Sequence, residues 1–510
     1  MGYKQINLKL PPDYTPEQLR HKIAQTLHIN EFSFQITHKS LDARKKNFIH
    51  WEIRLLVRSP EIKGGEPEKQ PALEIPYKKR KQKAIVVGSG PAGFFAAFVL
   101  QKAGLQTTLI ERGTEIEKRS REIEHFEKTA TFHPKSNYAF GEGGAGTFSD
   151  GKLTSRSKRI SLERQFILKS YVDAGAPEEI LYLAHPHLGT DKLRKIVKNL
   201  RHSFENLGGQ LLFETQMTDL NIKDGRVLAI ETETGTLDAD YFILATGHSA
   251  FETYRLLIRK GVGFHTKNFA IGSRMEHPQE LINRAQWGVK QLKGVKAAEY
   301  RLTSPGIEGH PVYSFCMCPG GVVVPATAYE NTNIVNGMSR YLRNGNFANA
   351  ACVAALNLNQ MLRREVSAPE ALDWLEKLEQ NFYRYTSGYA APFCSIKDFI
   401  SQKITSANNQ TSYPMGIVQA PLWELLPSEI SRAMRKGLTD FIRKMKGFEE
   451  GNLLGLESKT SAPIQADRDK NGRCSGFENL YIVGEGSGYA GGIVSSAADG
   501  IKAAMNILSR

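Results

Sequence analysis

Residues 84–93 read Ala84-Ile85-Val86-Val87-Gly88-Ser89-Gly90-Pro91-Ala92-Gly93. Four apolar residues in a row suit a parallel strand buried on both faces. The glycine-punctuated turn that follows opens a helix over about Ala92 to Ala103, which Gly104 stops in a left-handed conformation. The glycines serve different ends, Gly88 permitting the tight turn, Gly90 the close backbone approach to a pyrophosphate, and Gly93 the packing of helix on strand. The phosphates would sit on the positive end of the helix. A second strand, Thr107-Thr108-Leu109-Ile110, ends at Glu111, about 20 residues past the turn, the spacing this unit requires. A carboxylate there accepts from ribose hydroxyls and repels a 2′-phosphate, so FAD or NAD is expected over NADP. Ser89, Pro91, Ala92 and Arg112 complete the expected cofactor contacts around this turn.

Gly141-Glu142-Gly143-Gly144-Ala145-Gly146 satisfies the same expression, but no apolar strand precedes it and a turn, Thr147 to Lys152, follows. It reads as a loop whose bare backbone approaches a ligand. Downstream, a helix from about Lys192 to Gly208-Gly209, strands at 210–214 and 227–232, and a buried strand Tyr241 to Leu244 running into Ala245-Thr246-Gly247 extend the α/β pattern. Near the end, Leu480-Tyr481-Ile482-Val483 runs into Gly484-Glu485, and Gly491-Gly492 opens a last helix through about Leu508. A carboxylate at such a strand end can bind hydroxyls, and the helix start can face an electron-rich ring.

Outward from this frame, residues 1–70 form a leading α+β unit of β-α-β-β order, with Thr15-Pro16-Glu17-Gln18 as a capping-box helix start and strands ending by about residue 58. A basic turn, Lys39 to Lys46, is expected between its last two strands. Residues 71–83, with Pro71, Pro76 and a basic run from Lys78, read as a linker. The rest divides into a first FAD-binding part at 84–250, an inserted substrate or cap domain at 251–454, and a returning FAD-binding part at 455–510.

These pieces resemble the glutathione-reductase-like FAD superfamily, in which both ends of the chain build one Rossmann-like FAD/NAD(P)-binding domain. More closely, the strings GEGGAGTFSDGKL (141–153), ATGHSA (245–250), SFCMCPGG (314–321), NGMS (336–339) and GEGSGYAGGIVSSAADGI (484–501) are similar to those of a family of bacterial FAD-dependent dehydrogenases. The resemblance spans nearly the whole length. It implies that Glu485 binds the ribityl chain, that Met217 packs on the adenine, and that Gly492 and Ile493 lie under the pyrimidine end of the flavin. Gly143, Gly146 and Thr147 would wrap the pyrophosphate, with Lys152 as a charge partner for the reduced ring. Lys459 stands where that family commonly has Arg, which removes the bidentate fork from any anion-clamping role.

The expected function is therefore two-electron oxidation or reduction of a small-molecule substrate through FAD, with NAD(P)H binding transiently over the flavin or the substrate itself supplying electrons. His248, His277, Lys152 and Cys318 are candidates for catalytic roles. Cys316 and Cys318 point the same way if 312–318 is a regular strand; they read as a redox pair or as buried structural thiols. Asp467, Asp469, Asn471, Gly472 and Glu478 match the EF-hand expression, yet a strand follows where a helix is needed, so a turn is expected and no metal.

Composition narrows the classes. The chain has 510 residues, hydrophobic content of 41% and a net charge of +14 from 67 Lys plus Arg against 53 Asp plus Glu. That surplus suits phosphorylated cofactors and also motivates an alternative, a flavoprotein that binds or modifies RNA; a non-catalytic flavin-binding protein is a further alternative. No signal peptide and no membrane span are read, and five scattered cysteines suit a reducing cytoplasm.

Overall fold

The computed structural model describes residues 2–67, 71–155, 157, 159–405 and 409–510. Met1 and residues 68–70, at the two ends of the expected leading unit, lie outside the described residues. The apolar run at 84–87 becomes the strand Lys83–Val87, central in a five-stranded parallel sheet. Tyr241–Leu244 flanks it on one side and Gln106–Ile110 on the other, with Leu480–Ile482 and Gln210–Leu212 at the edges. Strands from both ends of the chain thus share one sheet.

The helix Pro91–Lys102 follows the turn, and the C-terminal helix Ile493–Leu508 packs against it. Phe95, Val99 and Leu100 on the first, with Val494, Ala498 and Ile501 on the second, are fully enclosed in a single core. Burying each of the large side chains contributes roughly 1.5–3 kcal/mol. The final helix is therefore held by the apolar face of the first one, about 400 residues earlier in the chain.

A second, seven-stranded sheet carries the strands Thr303–Ile307, His310–Cys318, Phe347–Leu356, Phe269–Pro278, Asn452–Glu457, Ala391–Ser395 and Ile417–Gln419 in that spatial order. All its pairings are antiparallel except the last, at the edge. Helices Ser428–Lys444 and Ala368–Thr386 cover it. The 454/455 boundary expected from sequence falls inside Asn452–Glu457, which pairs with Phe269–Pro278, so the chain leaves this sheet only after Glu457.

The leading unit has the strands Gly2–Leu10, Ser33–Asp42 and His50–Ser59 and the helix Pro16–Leu27, started by the Thr15–Gln18 capping box. Its outer strand continues to Asp42, so the first half of the expected basic turn is strand. The backbone of Lys39 there bonds residues 182–184: Lys39 N–H reaches the Tyr182 carbonyl at 2.8 Å and Ala184 N–H reaches the Lys39 carbonyl at 2.9 Å. The expected linker is docked rather than free, with Leu73 and Ile75 packed on the core of the parallel sheet and Lys83 already in strand.

Candidate functional site

A cavity of about 1440 Å³ runs from the Gly88–Ala92 turn to the inner end of the strand His310–Cys318. It lies where the carboxyl ends of the parallel strands meet the antiparallel sheet, the place where open α/β sheets bind ligands. Two helices start on it. Gly90 caps Pro91–Lys102 and Gly492 caps Ile493–Leu508, neither with a side-chain bond to the first N–H groups. Their unspent donors and positive dipole ends suit a diphosphate and an electron-rich ring.

The turn itself is tight. Gly88 has φ +101°, and a Cβ on Gly93 would come within 1.9 Å of the Gly88 carbonyl oxygen, so helix and strand touch backbone to backbone there. Glu111 is buried, and its carboxylate accepts from Ser89 N–H (2.9 Å), the Ser89 hydroxyl (2.7 Å), Gly113 N–H (3.0 Å) and Gly141 N–H (3.1 Å). Protein donors engage both oxygens of this carboxylate, which ties the turn to the 141–146 loop while it lines the cavity, where it was expected to meet a ribose. Arg112, also on the cavity, bonds Glu252 at 2.5 Å and lies over the Phe140 ring, leaving its Nε buried without a partner.

Arg119, which carries no motif in the sequence, organises that loop. It is fully buried and donates to five carbonyls, those of Asn137, Tyr138, Gly141, Glu142 and Gly144, at 2.8–3.2 Å. Gly146 reaches the main cavity, but Gly143 and Thr147 do not. They face the helix Gly189–Asn206 instead, where a Cβ on Gly143 would strike the Thr147 hydroxyl and Val197, so the expectation that they wrap the diphosphate is corrected. Ser89 and Gly93 likewise lie behind the turn and shape it from beneath.

Met217, Ala245, Thr246 and Gly247 line the same cavity, as do Gly484, Glu485, Gly491, Gly492 and Ile493. Glu485 accepts from Gly492 N–H at 2.6 Å and pairs with His248 Nδ1 at 3.0 Å. Burial works against its charge, but these bonds outweigh burial and hold its carboxyl below the usual value. His248 Nε2 is buried and unpartnered, so this ring has a nitrogen to spare.

Lys152 is no solvated surface residue. Its ammonium bonds Asp150 at 2.5 Å and the Met317 carbonyl. Asp150 is fully buried and also takes a two-point contact from Arg343 (3.0 and 2.5 Å) and a bond from the Ser339 hydroxyl. Burial opposes ionisation of Asp150, yet Arg343 and Lys152 hold its pKa well below the ordinary carboxylate range. Beyond them lies another enclosed pair, Arg274 with Glu457 at 3.0 Å. Lys459 bonds the buried Glu379 at 2.8 Å and sits over Phe251, so its charge is already answered.

His277 is absent from the described residues lining the cavity. It is fully buried in the strand Phe269–Pro278, Nε2 against the Phe448 carbonyl at 2.8 Å, and burial lowers its pKa to about 4. This corrects its candidacy as a proton donor. The pleat expected for Cys316 and Cys318 is broken by a bulge after Phe315, with Cys316 at φ +44°. Cys316 lines the cavity, whereas Cys318 is buried behind it. In the EF-hand-like segment, Asp467 bonds His265, Asp469 accepts from Asn471 N–H, and Glu478 bonds Arg226.

Residues 82–281 match the family model described as pyridine nucleotide-disulphide oxidoreductase, residues 268–460 the one described as FAD-dependent protein, C-terminal domain-like, and residues 3–58 a domain of unknown function. Solved structures that resemble the chain include glycine oxidase from Bacillus cereus, 11% identical over 84% of this chain and 95% of that one, TM-score 0.33. L-proline dehydrogenase from P. horikoshii is 12% identical over 85% and 94%, TM-score 0.36. The protein is a FAD-dependent oxidoreductase with a Rossmann-like FAD domain. A protein of Clostridium beijerinckii named "Uncharacterized protein" is 37% identical over 99% of this chain and 98% of its own length. The chain belongs to that protein's family, the bacterial FAD-dependent dehydrogenases and oxidoreductases. No helix among the described residues is long and apolar enough to cross a membrane.

Proposed function

We propose that the enzyme exchanges an electron pair between its flavin and a small molecule that enters the substrate-sheet end of the cavity, with NAD(P)H or that molecule as the donor. The observation that carries this reading is the continuity of one space between the glycine turn and the strand His310–Cys318. Its volume of about 1440 Å³ exceeds the roughly 300–1,000 Å³ of an ordinary single-ligand pocket. A second molecule fits beside the dinucleotide.

The two uncapped helix starts at Gly90 and Gly492 would hold the diphosphate and the ring, and Met217 would pack on the adenine. FAD, when bound, supplies the two-electron chemistry. Glu485 fixes the orientation of His248 through Nδ1, and Nε2 is the atom at which the protein would give or take a proton. The Asp150–Lys152–Arg343 cluster keeps a fixed ammonium at the cavity wall. The RNA-binding alternative has less support: Arg44 is engaged by Asp42, Lys39 lies over Trp51, and Arg80 donates to the Ala103 carbonyl.

Anaerobic mixing of the yellow protein with NADH, NADPH and a library of small-molecule donors tests the reading. Bleaching of the flavin with at least one of them is expected. A flavin that stays oxidised against all of them would sink it.

A further inference from the structure

Cys316 stands on the cavity wall with Cys318 enclosed behind it, in a conformation that a regular strand would not give them. The bulge in the strand His310–Cys318 takes Cys316 to φ +44°, a left-handed conformation that non-glycine residues rarely adopt outside turns and functional sites. As a result the Cys318 side chain folds back along the bulge toward Cys316. Its thiol donates to the Cys316 carbonyl at 3.3 Å. The pair differs in access: the first sulfur borders the cavity and the second is sealed beneath it.

Cations gather on this short segment. Arg274 Nη2 donates to the Cys316 carbonyl at 2.7 Å and lies 3.3 Å from the Cys318 sulfur. Lys152 donates to the Met317 carbonyl between the two cysteines. The adjoining Cys318 thiol lowers the Cys316 thiol to about 6 against the effect of burial, with help from Arg274 and Lys152. Burial pushes the Cys318 thiol up. An accessible, readily ionised thiol beside a protonated one is the arrangement that thiol–disulfide chemistry uses. Cys352, Cys394 and Cys474 are buried, and burial raises all three.

Resting on the flavin reading above, we infer that Cys316 and Cys318 form a dithiol/disulfide pair that exchanges two electrons with the flavin across this cavity. In the oxidative direction two S–H bonds break and one S–S bond forms. The electron pair and one proton reduce the oxidised flavin ring, and the second proton leaves to solvent. The reverse step opens the disulfide at the expense of the reduced ring.

The tryptic peptide from Leu302 to Arg340 contains both cysteines and no other, so mass spectrometry reads the pair alone. The holoenzyme is oxidised with diamide, desalted, and photoreduced anaerobically with EDTA while flavin absorbance is followed. It is then unfolded in denaturant at neutral pH with excess N-ethylmaleimide, beside a portion kept in the dark. The dark portion is expected to show the peptide without maleimide and short of two hydrogens, and the illuminated portion to carry two maleimides. In Cys318→Ser the peptide is expected to carry one maleimide in reduced protein and to form no internal bond. Two maleimides in the dark portion, or a disulfide that survives full bleaching, would overturn the pair while leaving the flavin reading intact. A flavin that fails to bleach would overturn both.

Discussion

Replacing Asp150 with Asn removes one charge from a largely enclosed ionic cluster on the cavity wall. Asp150 is fully buried, and it answers both Arg343, itself 6% exposed, and Lys152. Asn keeps the shape and one acceptor oxygen but leaves two cations answered only by Glu299, 3.5 Å from Arg343. Breaking a buried pair by removing one partner costs about 3–5 kcal/mol, because the remaining charge stays desolvated. At about 2–4 °C per kcal/mol for a domain of ordinary size, the expected fall in Tm is on the order of 10 °C. A thermal scan of flavin release and intrinsic fluorescence reads it, and the difference is expected to change little between low and high salt, since buried pairs are weakly screened. Adding Arg343→Met to Asp150→Asn is expected to recover part of the loss, because the stranded guanidinium goes with it. A single-variant shift below about 2 °C, less than the loss of one kcal/mol gives, or a double variant as unstable as the sum of the singles, would refute the claim that the cluster is held by mutual charge.

Three further outcomes are expected. Arg119→Lys, which cannot reproduce five fork-like contacts to the carbonyls of 137–144, is expected to weaken FAD retention at least tenfold, read as the ratio of flavin to protein absorbance after dialysis; full retention would deny that this side chain shapes the loop. Gly93→Ala puts a Cβ 1.9 Å from the Gly88 oxygen and is expected to yield colourless or unfolded protein, checked by the same ratio and by circular dichroism. The third concerns acid. His277 and His187 are lowered to about 4, both chiefly by burial, so below the ordinary histidine pKa of about 6.5 the unfolded chain binds protons that the folded chain refuses. Stability is expected to be full above about pH 6.5 and to decline from there toward about pH 4, by up to about 3 kcal/mol per histidine. Denaturation across that range in wild type and His277→Gln checks it, and an unchanged slope in the variant would count against His277 as a source.

The parts of the site that were legible in the sequence are those that a few consecutive residues determine. The Gly88–Gly93 turn, its flanking strand and helix, and the Gly491-Gly492 helix start each depend on local backbone requirements, and each shows in the order of residues. What could not be read depends on contacts between distant segments. Asp150 meets Arg343 across 193 positions, and Arg274 meets Glu457 across 183. Periodicity carries no trace of such pairs. His277 misled for a related reason: the strand Phe269–Pro278 is central in its sheet and buried along nearly its whole length on both faces, so alternation gave no sign that this histidine was enclosed. Glu111 was placed correctly at its strand end, yet the four protein donors that engage its carboxylate come from a turn and a loop whose approach is a tertiary event.

These long-range pairs also explain how one cavity can be built from segments so far apart in the chain. The glycine turn supplies backbone donors, but the loop at 141–146 reaches it only because Arg119 gathers the loop's carbonyls and Glu111 ties Gly141 to Ser89. The seven-stranded sheet reaches the same space through Lys152, which answers Asp150 on its own loop and the Met317 carbonyl on the facing strand. Of these bonds, the one from Lys152 to the Met317 carbonyl crosses from the glycine-turn side of the cavity to the seven-stranded sheet, beside the buried Asp150, where an unmatched charge is expensive. The cysteine pair, on either side of the Met317 carbonyl that Lys152 holds, lies at that junction.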